Sequence, residues 1–202
     1  MLDDIILRLK NRRANIMGHE YCQKTSVLLP LVHIDDQLHM LFEKRSLTLV
    51  RQPGEICFPG GKKDHSDKTP QQTAIRETCE ELGLKQEDIS VIAPMDVFVS
   101  GNLIVSPFLA YINDYQNIKP NPAEVDRLIF VPLEFLRNYT PQIEKIVHDP
   151  IFKDSFPFDL IPKGKDYPFR TSSYITYFYI YKDDVIWGLT ARILSDFLEH
   201  IK

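Results

Sequence analysis

The sequence predicts an α+β domain in which helices flank a mixed β-sheet. Three observations carry that expectation. Short apolar runs rich in Val, Ile, Tyr and Phe recur along most of the chain. A few stretches carry helical spacing, one with a full set of start and stop signals. The two kinds of segment do not alternate as they would in a regular βαβ repeat. With 202 residues, 44% of them hydrophobic, the chain can bury a sizeable core, and one domain over 1–202 is expected.

Leu2, Ile5, Ile6 and Leu9 fall at helical spacing, so a short amphipathic helix is expected over about 2–11. Ser26–Ile34 and Leu38–Lys44 read as two strands joined at Asp35-Asp36-Gln37, a hairpin in which Pro30 suggests an edge or a bulge. Arg45–Pro53 is a connection bearing Arg45 and Arg51, and Glu55–Phe58 is a short strand entering Pro59-Gly60-Gly61. A helix over Pro70–Leu82 follows, with Thr69 as N-cap, Pro70 at its first position, Gln72 completing a capping box and Gly83 as the left-handed stop.

Ile89–Ser100 and Leu103–Ile112 are apolar runs around a Ser100-Gly101-Asn102 turn. Asn113–Ala123 is a polar loop, Asp126–Val131 a strand and Leu133–Asn138 a short helix opened by Pro132. The stretch 139–169 is Pro-rich without sustained period and is read as a long loop that can form a lid or a wall. Ser173–Lys182 has the strongest strand composition, turns at Asp183-Asp184 into Val185–Trp187, and a helix over Leu189–Ile201 closes the chain.

At about 100° per residue, Ile75, Thr78, Cys79 and Leu82 share one face of the central helix, while Glu77, Glu80 and Glu81 lie roughly opposite with Arg76 at their edge. Like charges three or four residues apart cost about 0.2–0.5 kcal/mol per pair, and the C-terminal end of a helix disfavours anions. Either water solvates this face or a cation neutralises it.

Composition removes several function classes. A net charge of −4 and a pI near 5.9 lack the basic excess of a nucleic-acid binder. No run of about 18 apolar residues exists to span a membrane, and MLDDIILRLKNRR has the wrong order for a secretory signal. Cys22, Cys57 and Cys79 show no paired spacing, which suits reduced thiols in a cytoplasmic protein. The six histidines have no ligand spacing.

Arg76-Glu77-Thr78-Cys79-Glu80-Glu81-Leu82-Gly83-Leu84 resembles the core of the Nudix hydrolase box, with Gly61 as its opening glycine. Two departures are visible: Asp67 stands where the box has Glu, with eight residues between it and Arg76, and Thr78 fills a usually apolar position. Upstream, Arg45-Ser46, Gly54 and Phe58-Pro59-Gly60-Gly61 are similar to the signature of the coenzyme A pyrophosphatase branch, although Val50 replaces a common basic residue and Arg51 lies beside it. Trp187-Gly188-Leu189-Thr190-Ala191-Arg192 and the one-residue lengthening of the box also match that branch, so the likeness touches nearly the whole chain.

The resemblance implies an α/β/α Nudix sandwich that hydrolyses the diphosphate of coenzyme A or acyl-CoA to 3′,5′-ADP and 4′-phosphopantetheine or its acyl form. It implies Mg²⁺ or Mn²⁺ on Glu77, Glu80, Glu81 and the Gly61 carbonyl, with Arg76 orienting the carboxylates. Glu80 and Glu124 are the candidates for proton transfer, and Arg45 and Arg51 for substrate phosphates. The oxygen-rich donor set suits such cations on its own account. Alternatives are another Nudix substrate (ADP-ribose, a dinucleotide or another nucleoside diphosphate derivative) and a non-catalytic nucleotide-binding module. The expected partner is a small molecule, not a nucleic acid or membrane, with a homodimer left open.

Overall fold

The computed structural model describes residues 1–202. In chain order its regular elements are α1 (Leu2–Leu9), β1 (Gln23–Ile34), β2 (Gln37–Arg45), β3 (Ile56–Cys57), β4 (Gly60–Lys62) and α2 (Pro70–Leu82). Then come β5 (Ile89–Pro94), β6 (Phe98–Ser100), β7 (Leu103–Ile112), β8 (Val125–Pro132), α3 (Leu133–Asn138), β9 (Gln142–His148), β10 (Ser172–Tyr181), β11 (Asp184–Ile186) and α4 (Gly188–His200). They form two compact units, Met1–Leu31 with Pro59–Asn121, and Val32–Phe58 with Pro122–Lys202.

In the first unit β1 runs parallel to β7, from Gln23 opposite Leu103 to Leu31 opposite Tyr111. β4 is antiparallel to β1, and β5 and β6 are antiparallel to β7. Both hydrogen-bonding senses therefore occur in one unit, as the expected mixed sheet requires. Pro30 stands opposite Ala110, past the end of β4, whose pairing stops at Val27 and Gly60. α2 packs against β4 and β7, burying Ala74, Ile75 and Leu82. By contrast, α1 buries none of its side chains. The run Ile89–Ser100, expected as one strand, is divided into β5 and β6: after Pro94 the Met95 N–H still bonds the Pro107 carbonyl of β7, and ladder pairing resumes at Phe98 opposite Val105.

In the second unit Asp35 and Asp36, at φ 47° and 59°, form the two-residue turn that returns the chain as β2. β2 pairs antiparallel with β3 and with β8. Met40, Leu41, Phe42 and Glu43 are all buried in succession, so this strand is covered on both faces. β9, β10 and β11 form an antiparallel set on which α4 lays Ala191, Leu194 and Phe197.

β9 corrects the expectation of a continuous loop over 139–169. Its side chains are almost all exposed, so no apolar alternation marks it, and backbone pairing to β10 alone fixes it as a strand. The last turn also shifts: Lys182 and Asp183 make it, while Asp184 belongs to β11 and is buried against Arg127. No helix is long and apolar enough to cross a membrane, and none of the three cysteines forms a disulfide.

Candidate functional site

The first unit gathers most of the acidic candidates around α2. Local chemistry sets the helix in place. The Thr69 hydroxyl accepts the Gln72 N–H at 3.2 Å, and the Gln72 side chain accepts the Lys68 N–H at 2.9 Å. At the other end Gly83 turns left-handed at φ 63°, and the Lys119 and Asn121 N–H groups satisfy the Leu82 and Glu81 carbonyls. Fixed at both ends, α2 presents Glu77 and Glu81 to the β4 glycines.

Glu81 is not on a solvated face opposite Leu82, as helical spacing had suggested; it is 4% exposed. Its Oε2 accepts the Gly60 N–H at 2.7 Å, a short charge-assisted bond that offsets part of the cost of burying the carboxylate. Glu77 lies directly over Gly61, where an added Cβ would stand 2.3 Å from Glu77 Oε2. The two glycines are bare for different reasons. Gly60 has φ 148°, and a Cβ there would meet the Ser26 carbonyl oxygen at 2.3 Å and the Val27 Cα at 2.6 Å. Gly60→Ala is therefore expected to destabilise the fold by about 3 kcal/mol or more. Gly61→Ala only displaces a carboxylate, so it should keep most of its thermal stability yet lose activity. Paired melting and turnover measurements on the two variants check this.

Arg76 ties the remaining carboxylates together. Its Nε and Nη2 donate to the two oxygens of Asp67 at 3.1 and 2.9 Å, its Nη2 to Glu77 at 2.8 Å, and its Nη1 to Glu80 at 3.1 Å. Nη2 also reaches the Lys62 carbonyl at 3.1 Å, which fastens the helix to β4. Asp67 is 6% exposed. Its bidentate bond to Arg76, with the Asp64 N–H at 2.8 Å, holds its carboxyl well below the usual carboxylate range. The same bond raises the already high pKa of Arg76. Asp64 is lowered too, by the Ser66 N–H and hydroxyl it accepts, and so closes the loop before α2. Helical spacing could not show what Asp67 does, because its partner is nine residues away across a loop.

Glu77, Glu80 and Glu81 are not drawn into one three-ligand cluster: Glu77 rests on Gly61, Glu80 leans to Arg76 and Glu81 is turned to Gly60. The donor set nevertheless fits a hard divalent cation. It is all oxygen, Arg76 offsets only part of its negative charge, and two carboxylates meet a bare glycine turn where a Cβ would intrude.

The other candidates belong to the second unit. Arg45 Nη2 meets the Arg51 carbonyl at 3.4 Å, and the Arg45 N–H bonds the Glu55 carbonyl, which shapes the connection carrying Arg51. The Ser46 N–H donates to the Glu124 carbonyl at 2.8 Å, tying the Arg-Ser pair to the segment before β8. Glu43 was absent from the sequence candidates. It is 1% exposed, faces Cys57 across the β2–β3 pair, and accepts from the Cys57 Sγ at 3.4 Å. Burial pushes its carboxyl up to about 7, against the lowering influence of Cys57 and Arg45 and with Glu124 adding to the rise. A carboxylate directly after the apolar run Met40-Leu41-Phe42 was the available signal.

Comparison with known proteins gives the family. The NUDIX domain family model matches residues 30–153, more than half of the chain. The chain is 35% identical over 145 residues to the peroxisomal coenzyme A diphosphatase NUDT7 of Mus musculus, covering 71% of this chain and 61% of that protein. It is 34% identical over 180 residues to the chloroplastic Nudix hydrolase 22 of Arabidopsis thaliana, covering 85% and 53%. It is 37% identical over 115 residues to the mitochondrial coenzyme A diphosphatase NUDT8 of Homo sapiens, covering 55% and 49%. The chain thus spans only about half to three-fifths of the length of these relatives. Among solved structures, a Nudix hydrolase from M. smegmatis, RenU, superposes with a TM-score of 0.48 at 22% identity, over 56% of this chain and 72% of that one. The mixed sheet with its four helices is the α+β Nudix sandwich. Both the residue pattern from Gly61 to Leu84 and the match over 30–153 lead to one conclusion: the chain belongs to the NUDIX domain family.

Proposed function

We propose that this chain is a metal-dependent pyrophosphatase that hydrolyses the diphosphate of coenzyme A or acyl-CoA to 3′,5′-ADP and 4′-phosphopantetheine or its acyl form. The observation that carries the reading is the meeting of the α2 carboxylates with the bare Gly60-Gly61 turn. Two relatives that bear the name coenzyme A diphosphatase support the finer choice of substrate, as does the Arg45–Gly61 run.

Glu77, Glu80, Glu81 and the Gly61 carbonyl would hold Mg²⁺ or Mn²⁺. When bound, the cation would polarise a phosphoryl oxygen and activate water. The chain's own residues prepare that chemistry. Arg76 fixes Glu77 and Glu80 in orientation, so their ordering cost is met before substrate arrives. Arg45 and Arg51 offer guanidinium groups suited to phosphate oxygens. Glu80, more than half exposed, and Glu124 are the carboxylates proposed to take the proton of the attacking water. The water oxygen bonds to one phosphorus as the bond from that phosphorus to the bridging oxygen breaks. The bridging oxygen leaves on the other phosphate, and the proton of the water passes to the carboxylate base.

Mass-spectrometric product analysis in ¹⁸O water, with coenzyme A and ADP-ribose each supplied with Mg²⁺ or Mn²⁺, tests the proposal. We expect 3′,5′-ADP and 4′-phosphopantetheine from coenzyme A, one of them labelled, and no turnover without metal. Fast cleavage of ADP-ribose with coenzyme A untouched would sink the substrate assignment. No turnover of either, with nucleotide binding retained, would point to a silent binding module.

A further inference from the structure

Glu43 and Arg45 stand two residues apart on β2 and so project from the same face of the strand. The bulge beside them leaves that alternation intact, because its extra residue, Asp126, is on β8. Each side chain has a buried atom without a partner: Oε2 of Glu43 and Nε of Arg45. They are not bonded to each other. Glu43 takes only the weak donor Cys57 from β3, and Arg45 reaches the Arg51 carbonyl at a long 3.4 Å. Opposite Glu43 on β8 is Leu128, which offers no charge, and Glu124 contributes a negative charge.

We propose that Glu43 is a positioning residue that governs Arg45: when protonated it leaves the guanidinium to a substrate phosphate, and when ionised it draws the guanidinium to itself. The two unsatisfied atoms are the physical ground. An ion pair within the strand would satisfy both, at the expense of the Arg45 contact that shapes the Arg51 connection. Burial raises the Glu43 carboxyl to about 7, so the exchange falls in the neutral range. The inference rests on the reading of Arg45 as a phosphate-binding residue. Linkage adds a reciprocal consequence: a phosphate held by Arg45 must shift the Glu43 titration upward by the same factor that protonation improves its binding.

Calorimetric binding of 3′,5′-ADP and of inorganic pyrophosphate, in metal-free buffer at pH 6 and pH 8, tests this with the whole chain and its Glu43→Gln variant. Gln keeps the shape and the neutral state, so the variant reports the ligands' own ionisation. Relative to it, the unaltered chain should lose about fivefold in affinity between pH 6 and pH 8. Infrared difference spectra should show a carboxyl band, absent from Glu43→Gln, that titrates near neutrality and moves upward when pyrophosphate is added. Arg45→Gln should abolish that response to pyrophosphate, which provides a check if Glu43→Gln folds poorly. Parallel pH curves for both proteins, or a band indifferent to pyrophosphate, overturn the coupling. Coupling seen with pyrophosphate but no binding of 3′,5′-ADP keeps it and overturns the coenzyme A reading. Failure of both probes to bind overturns the phosphate-binding role of Arg45 and the coupling that rests on it.

Discussion

Glu81→Gln is expected to lower kcat about a thousandfold on whichever diphosphate the chain turns over, with little change in melting temperature measured without metal. The two halves of that expectation come from different atoms of one side chain. Glu81 Oε2 accepts the Gly60 N–H at 2.7 Å, and the amide oxygen of Gln can accept the same bond. The substitution also removes a carboxylate that is 4% exposed, and with it a desolvation cost. The turn at Gly60-Gly61 should therefore stay in place. What Gln cannot supply is the negative charge proposed to hold a cation. In the unaltered chain, saturating Mg²⁺ or Mn²⁺ at about 100 times its dissociation constant should stabilise the fold by about 2.7 kcal/mol. In Glu81→Gln that gain should largely disappear. A variant that melts normally, gains nothing from metal and turns over nothing fits a ligand; normal turnover would remove Glu81 from the chemistry.

The same residue shows how much of the site was legible in the sequence. Capping signals around α2 gave its limits, because Thr69, Pro70, Gln72 and Gly83 act through local backbone geometry. Periodicity alone misplaced Glu81, since a buried carboxylate breaks the rule that apolar residues face inward, and its partner is a backbone N–H 21 residues earlier. Asp67 was hidden for a related reason: its bond to Arg76 joins α2 to the preceding loop, which Asp64 and Ser66 hold in shape. β9 was missed because its side chains stay in water and only its pairing to β10 defines it. Glu43 stood in plain sight at the end of an apolar run, but its meaning depends on Cys57 across the strand pair and on the unsatisfied Arg45 Nε. Local signals were readable; non-local polar pairing was not.

Arg76→Gln should cost the fold more than Glu81→Gln does, because one guanidinium serves Asp67, Glu77, Glu80 and the Lys62 carbonyl at once. Removing it leaves Asp67, 6% exposed, without its main partner and sets Glu77 and Glu80 free to disperse. We expect turnover to fall about a hundredfold, the usual scale for losing a group that orients ligands, and the melting temperature at pH 7 to fall by several degrees. The stability loss should depend on pH with a definite sign. Arg76 holds the folded-state pKa of Asp67 well below the ordinary value of about 3.9. That contribution is therefore fully present above the ordinary value and is lost as pH falls toward the folded one. The gap in melting temperature between the unaltered chain and Arg76→Gln should accordingly be widest near neutral pH and narrow below about pH 4, where Asp67 begins to protonate in the unfolded chain. Asp67→Asn should show a smaller loss of activity, since Arg76 keeps Glu77 and Glu80, and adding it to Arg76→Gln should cost much less than the sum of the two. A gap that stays constant from pH 7 to pH 3 would show that Arg76 stabilises the fold by packing alone, without the Asp67 charge.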